Sequence, residues 1–254
     1  MALWRKAWVE SRVRFWLAAA VMSAGSAVLV LFHESVRAYF ASRGTPLDPY
    51  AAYLCRMLYQ GFGRTLFTLF VLMFGLGGLL RERELGTAAL TLALPVARAR
   101  VVGVRAAVGW IEVIALALLP SISVVTLSPL AGQSFAISQA LEFSLLWIAG
   151  GLALYAVAFL ASAMLAGEYT AFIVAWVVMF GHTVTTQFSR VRYPALRPYL
   201  FTVQEMMSGF RMPYFDVRTH ALIGPFPVLI VGGLLAFSAA LTWAALAWTV
   251  RQDF

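Results

Sequence analysis

The sequence predicts an all-α integral membrane protein with six transmembrane helices and an N-terminal interfacial helix leading into the first. Three observations predict it. Charged residues make up 12% of the 254 residues and hydrophobic residues 62%, whereas a soluble domain carries about a quarter charged residues. The mean hydropathy is +0.84. Six stretches stay apolar for about the 20 residues that one helical crossing of a bilayer needs. No Ser/Gly-rich linker or low-complexity tract divides the chain, so residues 1–254 are expected to form one membrane domain.

Residues 1–14 open the order. Trp4, Ala7, Trp8 and Val9 fall near one helical side, and Arg5, Lys6, Arg12 and Arg14 supply charge, the pattern of a helix lying along the bilayer surface. The spans follow at about 15–32, 60–80, 106–128, 141–166, 169–188 and 225–250. The first is free of charge from Phe15 to Phe32 and is read as a retained span, because no small-residue cleavage site follows it. Arg64 sits near the start of the second, which ends in Gly75, Gly77 and Gly78. The third holds Glu112 and Pro120, and the fourth holds Glu142 near its start. Only Ala-Gly-Glu-Tyr separates the fourth from the fifth, so the two should form a tight hairpin. Gly224, Pro225 and Pro227 set the start of the sixth.

Lysine and arginine on short loops set orientation. With the N-terminus inside, the inner pieces hold ten basic residues and the outer pieces nine. The totals therefore do not decide, and the cluster before the uncharged first span does: it places 1–14, 81–105 and the tail in the cytoplasm. Residues 33–59 and 189–224 are then the long external connections. Glu205 and Arg211 interrupt the second of these, so it is not a seventh span and either packs against the bundle or re-enters the headgroup layer.

Several chemistries are excluded. Lys6 is the only lysine and no glycine-rich loop precedes it, so the chain has no phosphate-binding loop and no ATPase site of its own. The net charge of +8 is spread between apolar spans, as membrane flanks are, and not gathered into a nucleic-acid footprint. His33, His182 and His220 are far apart, and Arg37 stands where a zinc-protease motif beginning at His33 needs a second histidine. Ser208 in "MMSGF" is too weak a signal for a serine nucleophile. Cys55 is the only cysteine, so no intrachain disulfide forms. Glu112, Glu142 and Arg64 are the candidate intramembrane polar residues. Glu112 lies about 10 Å into its span at 1.5 Å per residue and can reach the headgroups or an arginine such as Arg105.

"RERELGTAALTLALPVARARVVGVRA", residues 81–106, holds five arginines and two glutamates between apolar stretches. Its Glu82, Glu84, Gly86, Thr87, Leu90, Leu94, Pro95, Arg98 and Arg105, led in by "LFTLFVLMFGLGGLL", resemble the segment between the second and third spans of type-2 ABC-transporter permeases. The chain departs from that pattern where a lysine usually follows glycine, since Val104 and then Arg105 follow Gly103. The layout is similar too: a basic elbow helix, six spans, a tight fourth-to-fifth hairpin, and a long external segment before the sixth.

The resemblance implies an exporter permease with a cytoplasmic coupling helix between spans two and three. It implies two ATPase subunits, which bind ATP and magnesium, and a second permease chain as homodimer or heterodimer partner in the inner (cytoplasmic) membrane. The residues of the loop fit docking. Gly86-Thr87 permits a turn and a cap, residues 87–94 suit a short helix, and Pro95 stops it. Leu90 and Leu94 share one face at i, i+4, framed by Glu82, Glu84 and Arg98. Small residues at Ala20, Ser23, Ala24 and Ala27 permit close helix approach in the first span. Two other classes stand beside the exporter: a transmission subunit working on an external partner, and a carrier or channel that needs no ATPase.

Overall fold

The computed structural model describes residues 2–44, 49–76, 97–165, 167–210, 212–216 and 221–251. Among them are six helices long and apolar enough to cross a membrane: Ala2–Leu31, Tyr50–Phe74, Arg98–Ala131, Ile137–Met164, Tyr169–Arg192 and Val228–Arg251. This is the all-helical architecture of a multi-pass membrane protein.

The first helix, α1 (Ala2–Leu31), is continuous. The expected interfacial helix at 1–14 and the first span at 15–32 run together in it as one helix. No Pro or Gly falls before Gly25 to break it, and Lys6 and Glu10, 3.6 Å apart, pair one turn from each other in its first part. Trp4 and Trp8 are exposed on it. After Phe32 the chain turns into α2 (His33–Ser42). His33 is buried there, its Nδ1 donating to the Val30 carbonyl at 3.1 Å and its ring set edge-on to Tyr50.

The second crossing begins at Tyr50, ten residues earlier than expected, because Arg56 and Gln60 disguise its first half. It runs through α3 (Tyr50–Leu54), a π-helical turn at Cys55–Tyr59 and α4 (Phe62–Phe74). Gly61 makes the break between them possible. A Cβ there would lie 2.4 Å from the Arg56 carbonyl oxygen, so the chain folds back on its own preceding turn only without one.

Helix α5 (Arg98–Leu127) starts eight residues before the expected third span and ends in a 3-10 turn at Ser128–Ala131. Next comes α6 (Ile137–Met164), the centre of the bundle, which packs against α4, α5 and the later helices. In its most apolar stretch 78% of residues are buried, against 22% in α7 (Glu168–Arg192) and 11% in α9 (Val228–Arg251). Gly150 and Gly151 make α6 central: a Cβ on either would lie 2.1 Å from Met207 or 2.8 Å from Phe67. Around them stack Tyr59 on Phe143 and Phe67 on Trp147, with ring centroids 4.2 and 4.8 Å apart. Ser121 ties three elements here. Its hydroxyl donates to the Ala140 carbonyl at 2.9 Å and accepts from Ser144 at 2.7 Å, which leaves Tyr59 as the donor at 3.0 Å.

Between α7 and α9 the chain forms a cap. A 3-10 turn at Pro194–Tyr199 leads to the short α8 (Val203–Ser208), and strands β1 (Phe215–Asp216) and β2 (Ala221–Leu222) pair antiparallel. Gln139 of α6 holds β2 by accepting from the Leu222 N–H at 2.8 Å and donating to its carbonyl at 2.9 Å. Of the described residues of 189–224, α8 and the paired strands pack on the bundle, whereas Pro194–Tyr199 is exposed and α7 itself continues to Arg192.

Candidate functional site: the two polar ends of the bundle

The bundle has a root end and a loop end. Residues 77–96 carry Glu82, Glu84, Gly86, Thr87, Leu90, Leu94 and Pro95 and lie outside the described residues. The chain leaves the bundle at Gly75–Leu76 and returns at Ala97–Arg98, and Arg98 is the first residue of α5. These flanks define the root end. The start of α1 and the ends of α6 and α9 gather there as well, since Ser162 reaches Gly75 and Leu246 sits against Gly103.

Helix α1 grips both flanks. Arg14 donates from Nη1 to the carbonyls of Met73 at 3.3 Å and Leu76 at 3.4 Å, at the C-terminal end of α4, where a cation is favoured. One helical turn earlier, Glu10 pairs with Arg105 of α5. The two ion-bearing residues thus hold the outgoing and returning chain to the same helix. Gly75 is fixed from the other side. The Ser162 hydroxyl donates to its carbonyl at 3.0 Å, and a Cβ on it would lie 2.6 Å from the Ala158 Cβ and 2.9 Å from the Tyr155 carbonyl oxygen. The α4 exit therefore rests directly on the α6 backbone.

Glu112, anticipated as a partner for Arg105, is buried beside Ser11 and Arg14 of α1 and Tyr155 of α6, while Arg105 turns to Glu10. The partners lie across α1 and not along α5. Spacing within α5 alone could not reveal that. Of the N-terminal residues, Lys6 joins this end through Glu10, and Arg5 and Arg12 are exposed.

The loop end is built on Arg190 and Glu205. They form a bidentate pair, Nη1 to Oε1 at 2.8 Å and Nη2 to Oε2 at 2.7 Å, and both are buried. Glu205 is also the third residue of a capping box. Its N–H donates to the Thr202 hydroxyl at 3.1 Å, and its carboxylate accepts from the Thr202 N–H at 2.9 Å. Burial works against the charged carboxylate. The hydrogen bonds from Arg190 and Thr202 outweigh it and hold the Glu205 pKa below the ordinary carboxylate range. Arg190 donates its Nε to the Leu200 carbonyl at 2.8 Å. Arg64 reaches the same cap from α4, donating to the Gln204 carbonyl at 3.2 Å and the Ser208 hydroxyl at 3.4 Å. Glu142 stays local, accepting from Gln139 at 3.4 Å.

Of the intramembrane candidates, then, the structure sends Glu112 to the root end and Arg64 to the loop end, and it brings no two of the three together. The Thr202-x-x-Glu205 signature was present in the sequence as a helix start. The Arg14 contacts have no sequence signal, since they join residues about 60 positions apart. No protein-family model, curated protein or solved structure matches the chain.

Proposed function

We propose that the chain is the membrane-spanning permease subunit of an ATP-binding cassette exporter, with a separate ATPase acting on residues 81–100. One observation carries the reading. The segment bearing Glu82, Glu84, Gly86, Thr87, Leu90, Leu94, Pro95 and Arg98 is rooted at a single end of the bundle, with α1 bonded to both of its flanks. A push on such a segment reaches α1, α4 and α5 together.

In this reading the root end faces the cytoplasm, with the N-terminus and the C-terminal end of α9. Two ATPase subunits bind ATP and magnesium, and a second permease chain, identical or related, completes the transporter. The chain contributes no catalytic residue and no metal ligand. Leu90 and Leu94 enter an apolar groove on the ATPase, and Glu84 meets a basic residue there. Each aspartate forced into such a groove costs about 1–3 kcal/mol or more, so each weakens docking by roughly tenfold. The folded cap at the loop end favours one second reading, in which motion is passed to an external partner and no substrate crosses.

The test uses an ATP-binding cassette ATPase co-expressed with the chain, a neighbouring gene for one being the first source to look for. Leu90→Asp with Leu94→Asp, or Glu84→Lys, should abolish co-purification and permease-stimulated ATP turnover while the chain still inserts. A leucine-to-aspartate pair that binds and stimulates the ATPase normally would overturn the reading, and a stronger loss on replacing Arg98 and Arg100 would make the segment a headgroup-bound linker.

A further inference from the structure

The peripheral position of α7 leaves space beside it. A cleft of about 210 Å³ opens between α7, α6 and α9, walled by Ala153, Val157, Ala175, Val178 and Phe237. Its polar side chains are His182, Thr183 and Gln204, and Gln204 is already turned to the Met179 sulfur at 3.6 Å. The other residues lining it are all apolar, so the space suits hydrocarbon better than ordered water. Open to a bilayer, such a space fills with hydrocarbon.

A second cavity adjoins it toward the loop end. It measures about 850 Å³ and is lined by Gln187, Arg190, Arg197, Phe201 and three prolines. The two are neighbours on both walls. Thr183 lines the first and Gln187 the second, one helical turn further along α7, roughly 6 Å at 1.5 Å per residue. Likewise Phe201 lines the second and Val203 the first. The groove has no acidic side chain among the described residues lining it. Arg190 is neutralised by Glu205, whereas Arg197 is exposed at its rim. An apolar cleft beside a groove that presents one exposed arginine, Arg197, has the polarity of an anionic lipid.

We propose that this cleft and groove form a binding site for an anionic phospholipid of the loop-end leaflet, with an acyl chain between α7 and α9 and the phosphate at Arg197. The site depends on membrane insertion and stands whether or not the chain couples to an ATPase.

The test reconstitutes the full chain in vesicles of mixed phosphatidylcholine and phosphatidylglycerol, extracts it gently, and counts retained lipid by native mass spectrometry. The wild-type chain should retain phosphatidylglycerol in preference to phosphatidylcholine. Val178→Trp fills the cleft from its exposed rim without touching the core, and should lose the retained lipid of both kinds. Val177→Trp, on the next residue but outside the cleft lining, should retain lipid as the wild type does. Arg197→Glu should keep a lipid and lose the preference for phosphatidylglycerol. Unchanged retention in Val178→Trp, or an unchanged preference in Arg197→Glu, would overturn the site. So would a change of oligomeric mass in place of lipid loss, which would make a second copy of the chain the occupant.

Discussion

Arg190 with Glu205 and Arg105 with Glu10 are the same chemical pair in two settings, at opposite ends of the bundle. At the loop end the side chains keep 7% and 10% of their exposure, and at the root end 17% and 38%. The loop-end carboxylate is further held by a capping box and its arginine by a carbonyl, whereas Glu10 shares itself between Arg105 and Lys6. A buried pair with several hydrogen bonds breaks only at high cost, while a partly exposed pair opens more easily. The difference makes the loop end a fixed cap and the root end the part of the bundle able to rearrange.

The largest effect should come from unpairing the loop end. Arg190→Ala removes the bidentate partner of a buried carboxylate and should cost about 3–5 kcal/mol, read as a lowered unfolding midpoint in detergent. Arg190→Met combined with Glu205→Leu should recover much of that loss, because an apolar pair carries no desolvation penalty. Recovery no better than the single variant would mean that the pair acts through geometry and not charge.

Acid reaches the same pair by protonation. The folded chain holds the Glu205 proton less tightly than the unfolded chain does. Its stabilisation is therefore complete above the unfolded carboxylate value of about 4.3 and is lost as pH falls through the lower folded value. Glu205→Gln should flatten this part of the acid-unfolding profile, and an unchanged profile would remove Glu205 as its source.

At the root end Gly75→Val places a side chain against the α6 backbone and should cost about 1–3 kcal/mol by overpacking, again by thermal unfolding. Smallest is Glu10→Gln, expected at about 0.2–1 kcal/mol for a pair this exposed. If Glu10→Gln destabilised as strongly as Arg190→Ala, the two ends would not differ and the comparison would fail.

Much of this fold was legible in the sequence because lipid imposes a long apolar run on every crossing. The six spans are placed by that constraint, and Ala-Gly-Glu-Tyr marks the hairpin between α6 and α7. The start of the second crossing was hidden because Arg56 and Gln60 break the apolar run while the π turn and Gly61 keep the chain helical around them. The N-terminal basic cluster reads as a surface helix by composition, and only packing against α4 and α5 turns Glu10 and Arg14 into contacts of a continuous helix. Glu112, named from the sequence as an intramembrane polar candidate, is buried, and its neighbours come from other helices, which no spacing rule reaches. The Thr202-x-x-Glu205 signature shows the opposite case, a local pattern whose geometry is fixed by the backbone and could be read directly.

The central claim is that a push on residues 81–100 moves the root end and leaves the loop end fixed. Pulsed electron paramagnetic resonance tests it most directly, in a Cys55→Ser background with spin labels on two pairs of cysteines. Arg5→Cys with Arg100→Cys reports the root end, and Leu130→Cys with Leu196→Cys reports the loop end, all at half-buried or exposed positions. With the ATPase bound, a non-hydrolysable ATP analogue should shift the root-end distance distribution and leave the loop-end distribution in place. A shift confined to the loop end, or no shift at either end in a complex that turns over ATP, would contradict the account.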